Sequence, residues 1–187
     1  MLAALLLWAG AAFAGDSFFI VSRKDMPDPN FKDTVVLVTR VDGATIGIIL
    51  NRPTRLPVSG LFDELAKNTL PDEKVHFGGP VTPEFVTFLF KPLTPPEDAA
   101  KVAEGTYLAS DPELLEGILT GEVKVEGLRV FAGYAGWAPG QLENEVSRGD
   151  WHVLPSDAKT IFEKNTAKLW PEMDRRSSHT AVRFQPR

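Results

Sequence analysis

Apolar positions along the chain come in short β-branched runs and in helical spacing, and the two alternate without a regular order. Phe18 to Ser22 predicts an opening strand, followed by the proline-rich loop Met26-Pro27-Asp28-Pro29. Thr34 to Val41 and Thr45 to Leu50 are both rich in β-branched residues and flank Asp42-Gly43, which predicts a β-hairpin. That hairpin is expected to stop at Asn51-Arg52-Pro53, because proline cannot donate to a ladder. Ser59 can cap a helix carrying Leu61, Phe62 and Leu65 on one face, and Pro71 lies past its end. Strands are expected over Lys74 to Phe77 and Phe85 to Phe90, with Gly78-Gly79-Pro80 between them and a loop at Pro92, Pro95 and Pro96.

The second half reads in the same way. A short strand at Tyr107 to Ala109 leads to Ser110-Asp111-Pro112-Glu113, which has capping-box spacing. It opens a helix that buries Leu114, Leu115, Ile118 and Leu119 and ends at Gly121. Leu128 to Tyr134 predicts a central strand broken by the glycine-rich stretch Gly133 to Trp137. Pro139 then suits the first turn of a helix closed by Gly149. Trp151 to Leu154 is the last expected strand, and Ser156 caps a last helix through Phe162. Paired strands with interspersed helices, lacking a βαβ rhythm, favour an α+β domain.

Composition changes this picture in three places. The first fifteen residues carry no charge and contain an apolar run followed by Ala12-Phe13-Ala14, the form of an h-region and an A-x-A cleavage site. Residues 1–14 are therefore expected to be an export signal, with one domain over 15–187 and a periplasmic mature protein. The competing reading is the amphipathic N-terminus of a cytoplasmic protein. No later stretch is long or apolar enough to cross a bilayer as a helix. The chain has no cysteine, which removes thiolate nucleophiles, iron–sulfur clusters and disulfides. Its net charge of −5, with +4 gathered in residues 159–187, argues against a general affinity for nucleic acid and reads as a solvated basic tail.

Read together, the motifs carry a family resemblance. Met26-Pro27-Asp28-Pro29 with Phe31, Gly47 through Asn51-Arg52-Pro53, Gly78-Gly79-Pro80-Val81, and Gly133-Tyr134-Ala135-Gly136-Trp137 followed by Gly140-Gln141-Leu142-Glu143 and Glu145 resemble the YqgE/AlgH family over almost the whole chain after the leader. The resemblance implies a single domain with a mixed, branching β-sheet around a small barrel-like core and helices packed outside. It implies no particular reaction. One branch carries a label as a transcriptional regulator, which this sequence supports poorly, having neither a helix-turn-helix pattern nor a basic recognition helix. Two histidines usual in the family, near Thr39 or Arg40 and near Lys91, are absent here, so no role of theirs carries over.

Candidate chemistry gathers on the same motifs. Gly78-Gly79 after a strand can form an anion-binding nest or simply a tight turn. Arg52 at a strand end can grip a carboxylate or phosphate, or form an internal ion pair, for example with Glu145. Gln141 and Glu145 stand one turn apart on a helix behind a glycine-rich strand end, where they serve either a ligand or the packing of the helix. Trp137 and Tyr134 line a pocket or belong to the core. His76, His152 and His179 have no metal-ligand spacing, and no serine sits in a nucleophile elbow. The expectation is a binding or regulatory module without cofactor, its partner an unknown protein or a small anionic ligand, contacted through Arg52, Gly78, Gly79, Trp137, Gln141 and Glu145. The alternatives are an enzyme for a small anionic substrate, with Arg52 as anchor and Glu145 as acid or base, and a structural or assembly protein.

Overall fold

The computed structural model describes residues 17–41, 43–61, 74–96, 99–162 and 165–181. The expected leader and most of the helix expected after Ser59 lie outside these residues, as do residues 182–187. Among the described residues, ten strands form one curled sheet in the order β10-β1-β2-β3-β9-β6-β8-β7, with β5 attached to β9 and β4 to β5. Every pairing is antiparallel except β5 with β9. The architecture is the α+β, half-barrel arrangement expected from the resemblance.

The strands are β1 (Ser17–Ser22), β2 (Val35–Val41), β3 (Ala44–Ile49), β4 (Pro53–Pro57), β5 (Lys74–Phe77), β6 (Val81–Pro92), β7 (Ala100–Ala103), β8 (Thr106–Ala109), β9 (Val125–Trp137) and β10 (Trp151–Pro155). The hairpin of β2 and β3 forms as expected, Val36 opposite Ile49 and Val41 opposite Ala44, with Gly43 at φ +80° in its turn. The hairpin stops where expected, β3 ending at Ile49, and Pro53 then opens β4, a proline being tolerated as the first residue of an edge strand. Two expectations are corrected. The glycine-rich stretch does not break β9, which runs on to Trp137. Gly133, at φ +73°, bends the strand instead of ending it. The basic tail is not a solvated terminus through residue 181, because Thr166–Ala181 forms a helix, α4, that buries Leu169 and Met173 against the sheet.

The described residues also hold three shorter α-helices and a 3₁₀ turn over Val58–Leu61. Helix α1 (Pro112–Thr120) takes its cap from Asp111, not Ser110, because Pro112 fills the first helical position where no N–H is needed. The Asp111 carboxylate accepts from the Glu113 N–H at 2.9 Å. Helix α2 (Gln141–Arg148) begins after Pro139, behind Gly140 in a left-handed conformation, and closes at Gly149. Helix α3 (Ala158–Phe162) is capped by Asp157, which accepts from the Thr160 N–H at 2.7 Å. Ser156 serves elsewhere: its hydroxyl lies 3.1 Å from the Ser17 carbonyl and 3.0 Å from that of Val102, drawing β1 and β7 together across the open side of the half-barrel.

The core has three parts. Phe19, Leu37, Ile48, Leu89 and Phe131 fill the concave interior, which α3 and α4 close with Ile161, Leu169 and Met173. Val75, Phe88, Phe90 and Val130 pack on the other face beneath Leu115, Ile118 and Leu119 of α1. Ile20, Val36, Val38 and Ile49 form a third cluster with Trp137, Leu142 and Trp151, under α2.

A motif joint where the sheet branches

The candidate site lies where β9 changes partners. Its last residues, Ala135 to Trp137, pair with β3, whereas Phe131 and Ala132 pair with β5, so β3 and β5 follow one another along the same edge of β9. Gly78 sits in the fork. Its carbonyl accepts from the Ile49 N–H and its own N–H donates to the Ala132 carbonyl, both at 2.8 Å, which ties the end of β3 to β9 through β5. A Cβ at Gly78 would fall on the Gly133 carbonyl, and one at Gly79 on the backbone of Tyr134. Both glycines are buried by this crossing of chains.

Arg52 reaches to the proline-rich loop instead. Its guanidinium donates to the Lys32 carbonyl at 2.9 Å and the Pro29 carbonyl at 3.4 Å, and no ion pair joins it to Glu145. The preceding Asn51 holds the same loop, accepting from the Val35 N–H and donating to the Asp33 carbonyl, each at 2.9 Å. The Met26-Pro27-Asp28-Pro29 loop is thus strapped to the end of the hairpin. This strapping places Phe31 against Trp151, ring centres 5.6 Å apart, and against Trp137 at 6.2 Å.

Glu145 completes the joint from α2. One carboxylate oxygen accepts from both indole N–H groups, Trp137 at 3.0 Å and Trp151 at 2.9 Å, and the other accepts from the Gln141 amide at 2.9 Å. The Gln141 carbonyl oxygen in turn accepts from the Ala138 N–H at 3.2 Å, which fixes the turn before the helix. Trp137 and Trp151 are 8% and 4% exposed, so the carboxylate reaches down from the surface to satisfy two donors that water barely touches. Of the six residues expected to share one surface, the fold brings Trp137, Gln141 and Glu145 into contact. Arg52, Gly78 and Gly79 belong to the same joint but make separate sets of bonds.

Two buried ionisable residues among those described, Arg129 and His76, lie outside the motifs. Arg129, in the middle of β9, donates to the Leu50 carbonyl at 2.6 Å and the Ile161 carbonyl at 2.8 Å, and its guanidinium carbon lies 5.5 Å from the centre of the Phe131 ring. A lone cation amid the apolar run Leu128 to Tyr134 was the available sequence signal for it. His76, on β5, is buried, and its Nδ1 has no hydrogen-bond partner. Burial, and secondarily the Arg129 charge, pushes its pKa down from 6.5 to about 4, so the ring is neutral at pH 7. His152 is half-buried on β10, and the side chain of His179 lies outside the described residues. Among the described residues no three histidine, aspartate or glutamate side chains gather as metal ligands, and no helix is long and apolar enough to cross a membrane.

The sequence pattern of the AlgH-like family matches residues 19–180. The chain belongs to that family. A UPF0301 protein of Methylococcus capsulatus is 37% identical over 158 residues, covering 81% of this chain and 83% of its own. A UPF0301 protein of Chlorobaculum tepidum is 34% identical over 157 residues, covering 81% and 80%. The solution structure of AlgH from Pseudomonas aeruginosa superposes with a TM-score of 0.72 at 22% identity, over 95% of this chain and 98% of that one. A crystal structure of a Corynebacterium diphtheriae protein gives 0.69 at 24% identity, over 87% and 86%. At such identity the two structures speak for the fold alone. Within this AlgH-like chain, all four motifs that carry the resemblance meet at the branch of the sheet.

Proposed function

We propose that this AlgH-like chain is a non-catalytic binding module that works by contact with a protein partner. The observation that carries the reading is the state of Glu145, whose carboxylate already accepts three hydrogen bonds from Trp137, Trp151 and Gln141. A carboxylate has about four acceptor positions, and three of those on Glu145 are taken by structural donors, which leaves little for a substrate proton. Arg52, the other residue an anionic substrate would need, has its guanidinium directed at two backbone carbonyls. In this reading Arg52, Gly78, Gly79, Trp137, Gln141 and Glu145 set the shape of the surface that a partner meets, and do not themselves turn over a ligand.

A thermal-shift screen of the full chain against anionic metabolites, nucleotides and divalent metals tests it. Saturation at 100 times a dissociation constant adds about 2.7 kcal/mol of stability, so a true small-molecule site is visible. The reading expects no such shift, and expects Arg52→Ala to melt lower by the same amount in every condition. A ligand-dependent shift that Arg52→Ala abolishes would overturn it in favour of an enzyme or a small-anion receptor.

A further inference from the structure

Two of the exposed large apolar residues, Val81 and Phe85, lie on the first half of β6, next to the motif joint. Between Val81, opposite Tyr134, and Val86, opposite Ala132, the strand leaves its ladder, so that residues 82–85 face a single residue of β9. This bulge folds over Gly133, whose missing side chain makes room for the Val81 carbonyl and the Pro83 backbone. Thr82 adopts φ +44°, a conformation that non-glycine residues rarely take. The result is that Phe85 stands 43% exposed, with its ring edge-on to Tyr134 at 6.1 Å. Bulges of this kind re-aim side chains, and strain that survives in a fold is a pointer to use.

Beside Phe85 lies a groove of about 430 Å³, floored by Val86, Phe88 and Leu115 and walled by Leu61 and Pro112. Two further exposed apolar residues lie near its lining: Val81, 37% exposed, pairs with Tyr134, against which Phe85 packs, and Leu56, 43% exposed, lies close to Gly60, the neighbour of Leu61. A groove of this volume holds one bulky apolar side chain of a bound segment. Its charge is one-sided. Glu84 and Asp111 line the groove, and Glu116 stands one turn along α1 from Pro112. Asp111 and Glu113 sit on the positive end of α1 and offset its dipole, which leaves Glu84 and Glu116 to set the field, and neither is ion-paired among the described residues.

We propose that this groove docks a segment of a partner polypeptide carrying a bulky apolar side chain flanked by lysine or arginine. The proposal rests on the binding-module reading and supplies its contact surface. Apolar burial against Phe85 and the partly exposed Val86 and Leu61 provides affinity, and the carboxylates select the sign of the flanking charge.

The test uses the purified full chain and two fluorescein-labelled dodecapeptides of the same central Leu and Trp content, one with lysine flanks and one with glutamate flanks, read by fluorescence anisotropy. The lysine probe should bind at least about tenfold more tightly than the glutamate probe and weaken as salt is raised. Glu84→Lys should cost the lysine probe about tenfold, Glu84→Gln less, and Phe85→Ser should weaken both probes. These side chains are exposed, so the melting temperature should hold. Equal affinity for the two probes, absence of saturable binding by the lysine probe, or affinities unchanged in Glu84→Lys and Phe85→Ser would overturn the proposal. So would self-association of the chain in sedimentation that Phe85→Ser abolishes, since the occupant would then be a second copy. A failed probe with a flat metabolite screen removes the groove alone, whereas an Arg52-dependent shift in that screen removes the binding-module reading with it.

Discussion

Replacing Glu145 by alanine strips three donors of their acceptor at once. Hydrogen bonds to a charged group contribute roughly 1.5–3 kcal/mol each, and a donor left buried costs a similar amount. The Gln141 amide is exposed and turns to water at little cost, whereas the indoles of Trp137 and Trp151, 8% and 4% exposed, have little water to turn to. Because Glu145 itself is half-buried, solvent replaces part of what is lost, and the expected destabilisation is about 3 kcal/mol. Glu145→Gln keeps one oxygen for the two indoles but removes the charge and sets its amide against that of Gln141, so about 1 kcal/mol is expected. Urea unfolding followed by tryptophan fluorescence measures both, and for a chain of this size the alanine variant should melt roughly 6–12 °C lower. An alanine variant within about 0.5 kcal/mol of the parent would refute the reasoning, since that is the scatter of an ordinary surface substitution.

Three further outcomes follow from the same geometry. Gly79→Ala forces a Cβ into the Tyr134 backbone and should destabilise by about 3 kcal/mol or more, seen as lost soluble expression or a large fall in urea midpoint. His76 is held neutral in the fold with its pKa near 4, whereas in the unfolded chain it titrates at 6.5. The unfolded state therefore takes up the proton first, and stability should decline as pH falls from 6.5 towards 4, by at most about 3 kcal/mol. His76→Phe should flatten that part of the profile, and parallel profiles for parent and variant would contradict it. Leu169→Ala, which empties a fully buried position under α4, should cost about 2–5 kcal/mol in chemical unfolding; a neutral result would mean that the helix does not seal the half-barrel.

Much of the fold was legible because its local signals agree. The β2–β3 hairpin, the helix behind Asp111 and the closure of α2 at Gly149 each combine a periodic apolar face with a turn or cap residue suited to it. What escaped was set by distant contacts. Strand β7 is four residues with only Val102 buried, too short for alternation to register. The first half of β6 is exposed, and its bulge depends on Gly133, some fifty residues later in the chain. Helix α4 is polar over most of its surface and contains Pro171, so its role becomes visible only when Leu169, Trp170 and Met173 meet the sheet. The Trp170 indole, for example, donates to the Ser22 carbonyl at 2.8 Å.

The motifs were equally legible as motifs, yet their local sequence did not say what each residue would face. Glycines that suggest a nest prove to sit where chains cross, and a carboxylate on a helix surface meets two indoles from different strands. Four motifs separated along the chain meet because β9 exchanges β3 for β5, an event that requires Gly78 and Gly133 to lie almost in contact. No window of sequence contains both.

Glu145 is an internal acceptor for the indoles of Trp137 and Trp151. The most direct measurement is the exchange and chemical shift of the indole N–H protons in ¹⁵N-labelled protein, assigned with Trp137→Phe and Trp151→Phe. The account predicts that both protons exchange slowly in the ligand-free chain and that both shift together in Glu145→Gln, while the Trp170 proton stays in place. Rapid exchange at Trp137 and Trp151, or protection that arises only when a small molecule is added, would contradict it.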